Sequence, residues 1–207
     1  MDLNKLLAAV DVAADWVGLR YVRENTGFRM VRDGKPEAND RVSTRGLMVE
    51  VLVDGHFAYA AASRLDPAGV QEAAERACGI ARACAGYGIY SFSDQVRPQA
   101  RGNYSSSYKQ SQEAISPADL SHLLVKATEH LKVSDKIVTT NAMARIVDVD
   151  SHFVSSNGSD LTQDFLVVSA DYTAVAQDGP VTQKRTDGGL LAKTYQAGME
   201  VFDEEQV

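Results

Sequence analysis

The stretch "RGLMVEVLVDGHFAYAAAS", Arg45 to Ser63, decides the fold. Leu47, Val49, Val51 and Val53 alternate along one face of a strand, and Met48 and Leu52 make its other face apolar as well. A strand greasy on both sides predicts a central position in its sheet. The dipeptide Asp54-Gly55 then separates two alternating runs. Both central residues of a two-residue hairpin turn need positive φ, so this pair predicts a tight reversal. His56 becomes the first residue of the return strand, followed by Phe57, Tyr59 and Ala61. No histidine, cysteine or acid stands at ligand spacing from it in the hairpin, so His56 reads as scaffold rather than as a catalytic group.

Upstream, Leu3, Leu6, Leu7 and Val10 recur at helical spacing and predict a short helix over 3–14. Val17, Leu19 and Tyr21 alternate toward a second reversal at Asp33-Gly34. Downstream, Asp66 is a good N-cap, Pro67 stands at the first helical position and Gly86 supplies a stop. The face predicted to pack comprises Val70, Ala73, Ala74, Ala77, Ile80, Ala81 and Cys84. Residues 86–115 are polar and punctuated by Gly and Pro, with Tyr87, Tyr90, Phe92, Tyr104 and Tyr108 among them. A loop of this length in a compact domain is usually functional or disordered. Its aromatics suit contact with a ligand or partner, or pinning of the loop to the surface. Ser116, Pro117 and Asp119 open another helix, with Leu120, Leu123, Leu124, Ala127 and Leu131 as its buried stripe. The remainder reads as strands with reversals at Asn157-Gly158 and Asp178-Gly179, a central strand around Phe165–Val168, a Gly188-Gly189 pair after "TQKRTD", and an acidic end, "MEVFDEEQV". Segregated strands and helices predict an α+β fold: a largely antiparallel sheet with hairpins, packed by two to three helices.

Composition narrows the function. The 207 residues are 44% hydrophobic and 24% charged, an ordinary globular balance that can bury a core without covalent staples. The net charge of −7 disfavours nucleic acid as a partner, because such binding displaces counterions with positive charge. No run reaches the length of a membrane span, and the first residues lack the charged n-region and cleavage site of a secretory signal, so a cytoplasmic location is expected. Cys78 and Cys84, six residues apart on one helix, stand about 240° around it from one another and read as small buried apolar residues.

Reactive constellations are missing from the sequence. It has no G-x-S-x-G elbow, Walker A loop, G-x-G-x-x-G after a strand, or H-E-x-x-H. His122 and His130 are eight residues apart, about 12 Å along their helix, which prevents a shared metal ion. His152 has no metal-spaced partner. Asp148 and Asp150 alternate on one strand face, a weak set for a hard cation and a natural solvated strand end. Ser155, Ser156 and Ser159 flank an Asn-Gly turn, where small polar residues are expected.

The order of elements resembles a known family. Asp33-Gly34, Arg45-Gly46 with Val49 and Val51, Gly55 with Phe57-Ala58-Tyr59, the Ser63-Arg64-Leu65 junction and the Ala-rich helix at 68–83 are similar to the N-terminal region of the TldD/PmbA family. That family was first described as modulators of DNA gyrase. "FVSSNGSDLTQDFLVVSADYTAVAQDG" resembles its second block of strands. The resemblance covers most of 16–85 and 137–189 and gives no support to the loop at 86–115. It implies a metallopeptidase system acting on unfolded or extended polypeptides, often as a two-subunit assembly. In the family, zinc is held by an H-E-x-x-x-H helix of a C-terminal half, assisted by a later cysteine. This sequence contains no H-E-x-x-x-H, so no catalytic or metal residue is carried over, no cofactor is expected in this chain, and substrate-binding residues stay unassigned. The expectation is a single N-terminal-type α+β domain, 1–207, without the C-terminal metal-binding half. It would be inert alone, wall a substrate groove and contact a homologous subunit. Alternatives are a free-standing interaction protein that binds a protease subunit or a toxin–antitoxin component, and an unrelated hydrolase using serine or carboxylate chemistry, which metal-independent peptide cleavage lost on Ser156→Ala would support.

Overall fold

The computed structural model describes residues 1–189 and 192–202. Leu190, Leu191 and the acidic end at 203–207 lie outside the described residues. In chain order the elements are α1 (Leu3–Ala8), β1 (Trp16–Arg32), β2 (Lys35–Val53), β3 (His56–Ala62), α2 (Pro67–Cys84), β4 (Arg101–Ser105), α3 (Pro117–His130), β5 (Ile137–Ser155), β6 (Asp160–Asp178), β7 (Val181–Thr186) and β8 (Thr194–Tyr195). Short 3-10 turns stand at Ala85–Tyr87, Asp94–Val96, Gln112–Ala114 and Met199–Phe202. The strands form an open, largely antiparallel sheet ordered β3-β2-β1-β5-β6-β4, with β7 and β8 also paired to β6. The α+β expectation is met, and β2 and β6 are interior strands as their two-sided apolar patterns require. No helix among the described residues is long and apolar enough to cross a membrane.

Turn chemistry places the hairpins. Asp33 and Gly34 have φ of 49° and 76°, and Asp54 and Gly55 have 49° and 79°, so both pairs occupy the left-handed region that such turns demand. Val53 pairs with His56 and Leu47 with Ala62, which fixes the register of the second hairpin. These two glycines make a matched test. A Cβ on Gly34 would meet nothing, whereas one on Gly55 would collide with the Ser91 side chain. Gly34→Ala should therefore cost only the left-handed penalty of about 1–2 kcal/mol. Gly55→Ala should cost clearly more in urea unfolding, and equal losses would refute the contact.

Two compact units emerge. Unit 1 comprises residues 1–24, 44–104 and 149–164; unit 2 comprises 25–43, 105–148 and 165–207. The core of unit 1 packs α1 and α2 on one face of the sheet, through Leu3, Leu19, Leu47, Val49, Val51, Val70, Ala73, Ala74, Ala77 and Val154. Asp66 caps α2 by accepting from the Gly69 N–H at 2.7 Å. The alanine face lets the helix lie close to β3. Unit 2 has its own core of Val31, Leu120, Leu124, Ala142, Ile146, Leu166, Val168, Met199 and Phe202. Ser116 caps α3, its Oγ accepting from the Asp119 N–H at 3.1 Å and donating to the Asp119 carboxylate at 2.6 Å.

Four sequence expectations are corrected. The first helix stops at Ala8 rather than continuing to 14. Beyond it, Gln71 captures the backbone of Asp11, accepting from its N–H at 2.9 Å and donating to its carbonyl at 2.8 Å. Val10, Val12 and Ala14 then pack on the core with a period of two. On α2, Cys78 is buried, but Ile80 and Cys84 are exposed. Ile80 lies roughly 75° off the centre of the buried stripe, and Cys84 is the last helical residue. The final hairpin is shifted by one: Asp178 pairs with Val181, so the turn residues are Gly179 and Pro180. Residues 101–105, within the loop that resisted assignment, form β4.

Candidate functional site

In unit 1 the second face of the sheet is covered by irregular chain rather than by a helix. Because paired residues share a face, Glu50 and Leu52 on β2 lie beside Tyr59 and Phe57 on β3. The segment after α2 folds over them. Phe92 donates its N–H to the Gly55 carbonyl at 2.8 Å and sets its ring 5.6 Å from that of Phe57. Arg97 holds its guanidinium 4.8 Å from the centroid of the Phe57 ring and donates to Glu50 Oε1 at 2.6 Å and 3.1 Å. Tyr59 donates to the same oxygen at 2.9 Å. The Glu50 side chain is 10% exposed, and Arg97 and Tyr59 supply the hydrogen bonds that burial takes from water. Burial, then the Glu50 bond, push the Tyr59 phenol above its ordinary value; the Glu50 bond raises Arg97.

The cover leaves a cavity of about 400 Å³, lined by Trp16, Arg20, Glu50, Arg97, Phe153 and Gln163 among others. Trp16 is buried, stacks on Phe153 at 6.3 Å and meets the edge of Phe57 at 6.1 Å. Gly18 makes this possible, since a Cβ there would stand 2.5 Å from the indole. Arg20 holds its guanidinium 5.4 Å over the Phe153 ring. The strap that closes the cavity is pinned to the Asn157-Gly158 reversal: Asn157 donates to the Arg97 carbonyl at 2.7 Å, and Arg101 to the Gly158 carbonyl at 2.9 Å.

The singled-out residues take these places. His56 puts Nδ1 2.9 Å from the Asp54 carbonyl and packs its ring against Gly88. His152 Nε2 is 2.8 Å from Asp160 Oδ1, while Asn4 donates to Oδ2 at 2.9 Å; the Asn4 bond, then His152, hold the Asp160 carboxyl below its usual range. Asp148 accepts from Asn25 at 3.2 Å, and Asp150 pairs with Arg23. Among the described residues no three His, Cys, Asp or Glu side chains gather as a metal site. Ser156 Oγ accepts from the Val17 N–H at 3.0 Å, Ser159 Oγ from the Ala100 N–H at 3.1 Å, and Ser155 donates to Asn157 at 2.6 Å. The three hydroxyls therefore tie strand ends and the strap together. His122 and His130 are exposed on α3.

Grooves also lie among the described residues of unit 2. One of about 630 Å³ runs along α3, between Asp119, His122, Leu123 and Lys126 on the helix and Ile115 and Phe202. A smaller one, about 290 Å³, is bounded by Lys109, Tyr172, Asp187, Lys193 and Glu200. Glu200 is strongly perturbed. Desolvation raises its pKa, but the backbone N–H groups of Lys109, Gln110, Glu200 itself and Gly198 outweigh that and hold it at about 2. A depressed carboxyl stabilises fully above its ordinary value of 4.5, and that stabilisation is lost as pH falls through about 2. Carbon NMR should accordingly place the Glu200 midpoint near 2. Glu200→Gln should be less stable than the parent at neutral pH and lose that difference in strong acid. A midpoint near 4.5 would show that the clamp on Lys109 and Gln110 is absent.

Comparison with known proteins follows this geometry. Residues 17–81, which carry β1, the two Asp-Gly hairpins and most of α2, match the family model described as PmbA/TldA metallopeptidase domain 1. The fold is that of a candidate DNA gyrase modulator from Thermotoga maritima (15% identity, TM-score 0.64, 83% of this chain and 38% of that one). It is shared by TldE from Thermococcus kodakarensis (17%, TM-score 0.65, 89% and 42%). A candidate DNA gyrase modulator from Bacteroides thetaiotaomicron shows it too (16%, TM-score 0.67, 90% and 44%). No curated protein matches. The solved structures show a shared α+β fold. Residues 17–81 are thus similar to the first domain of the PmbA/TldA family, and the chain spans less than half the length of each of these solved structures.

Proposed function

We propose that the chain is a non-catalytic domain of a TldD/PmbA-like metalloprotease acting on unfolded or extended polypeptides, where it walls the substrate groove and contacts a homologous subunit. The observation that carries this reading is the match of 17–81 to a metallopeptidase first domain. The architecture supports it: β3 ends the sheet, and an exposed strand edge holds an extended chain by main-chain hydrogen bonds without regard to sequence. Zinc hydrolysis needs a Lewis acid, its bound water and a general base in one place. In this reading another polypeptide segment supplies them. Hydrogen exchange of β2 and β3 with an unfolded polypeptide tests the role. Slowed exchange, alone or with a family C-terminal half supplied in trans, is expected; unchanged exchange in both would overturn it.

A second reading, a free-standing interaction protein, is favoured by the segment after α2. Tyr87, Ile89 and Tyr90 are 89%, 103% and 67% exposed there. Co-purification and native mass measurement separate the two, since a constitutive partner, a protease subunit or a toxin–antitoxin component, favours this reading.

A further inference from the structure

The geometry points to the Trp16–Phe153 cavity of unit 1 as a binding site for a carboxylate borne on a flat apolar body. Its volume of about 400 Å³ lies within the range of small-molecule sites. The charges in its wall are unequal in use. Glu50 and Arg97 neutralise each other at 2.6 Å, so neither offers a net charge to a ligand. Arg20 lies over Phe153 and has no ion-pair partner among the described residues, which leaves one guanidinium to meet an anion. A planar carboxylate matches that fork with two parallel hydrogen bonds. A doubly charged phosphate would meet the Glu50 carboxylate in the same wall, with Arg20 as the only unpaired cation among the described lining residues to offset it. The rest of the lining suits a ring: Trp16 and Phe153 stack, and Val96, Pro98 and Leu161 complete an apolar wall. Gln163 brings an amide to the same wall.

The same chemistry is offered by a polypeptide ending in an aromatic residue and by a free aromatic acid. The site does not depend on the protease reading: it rests on the cavity alone, and a chain that binds such acids yet ignores extended polypeptides would sink only the latter.

Trp16 is the chain's single tryptophan, so its fluorescence reports on the cavity directly. The probes are N-acetylphenylalanine, its amide, a short peptide ending in phenylalanine, benzoate and inorganic phosphate. N-acetylphenylalanine should change Trp16 emission saturably, and its amide should bind at least tenfold more weakly. Arg20→Gln, at an exposed position, should erase the preference while circular dichroism stays unchanged. Tighter binding of the peptide than of benzoate identifies a chain terminus as the source; the reverse identifies a free acid. Equal binding of acid and amide by the parent chain, a phosphate response as strong as the carboxylate's, or no saturation up to the order of 10 mM would overturn the assignment.

Discussion

Replacing Trp16 with alanine should lower the unfolding free energy by about 3–5 kcal/mol, the range for deleting a large aromatic from a core. The upper half of that range is expected. Trp16 is 2% exposed, and its ring is held by Phe57 on one side and Phe153 on the other, so deletion unpacks three rings at once. Trp16→Phe should recover most of the loss. It keeps a ring in the stack and removes an N–H that has no acceptor among the described residues, so no hydrogen bond is broken. Urea unfolding of the two variants checks this. A loss below about 1 kcal/mol for Trp16→Ala would mean that the second face of unit 1 is not packed as described.

Glu50→Ala carries the second large effect, about 2–3 kcal/mol. Breaking a fully buried ion pair costs about 3–5 kcal/mol because the survivor is left uncompensated. Arg97 is 40% exposed and regains water, which moves the value down. The variant has a second signature. The Tyr59 phenol is raised by burial and, after that, by its bond to Glu50, so its titration should move toward 10.0. Loss of stability without movement of Tyr59 would locate the damage in packing and not in the Glu50–Arg97–Tyr59 network.

Much of the fold was legible because it is written locally. Asp33-Gly34 and Asp54-Gly55 need positive φ, Asp66 and Ser116 supply an oxygen to an orphan N–H, and the alternation from Leu47 to Val53 needs a sheet. The cavity was not legible, for a definite reason. Its parts come from β1, β2, β5, β6 and an irregular strap, and no spacing rule joins Trp16 to Phe153 or Glu50 to Arg97. One trace was present: Leu52 makes the second face of β2 apolar, which demands a cover, and the aromatic-bearing loop after α2 was the segment still unplaced. Residues 86–100 supply that cover through Phe92, Val96 and Arg97. The shortened α1 escaped the pattern as well, because the Gln71 side chain competes for the Asp11 backbone from sixty residues away.

The central proposal is tested most directly by incubating the purified chain with an unfolded polypeptide and added zinc, and following both binding and fragmentation. The account predicts an intact polypeptide, with cleavage arising only when a family C-terminal half is supplied. Zinc-dependent cleavage by this chain alone, at a rate proportional to its concentration, would contradict it.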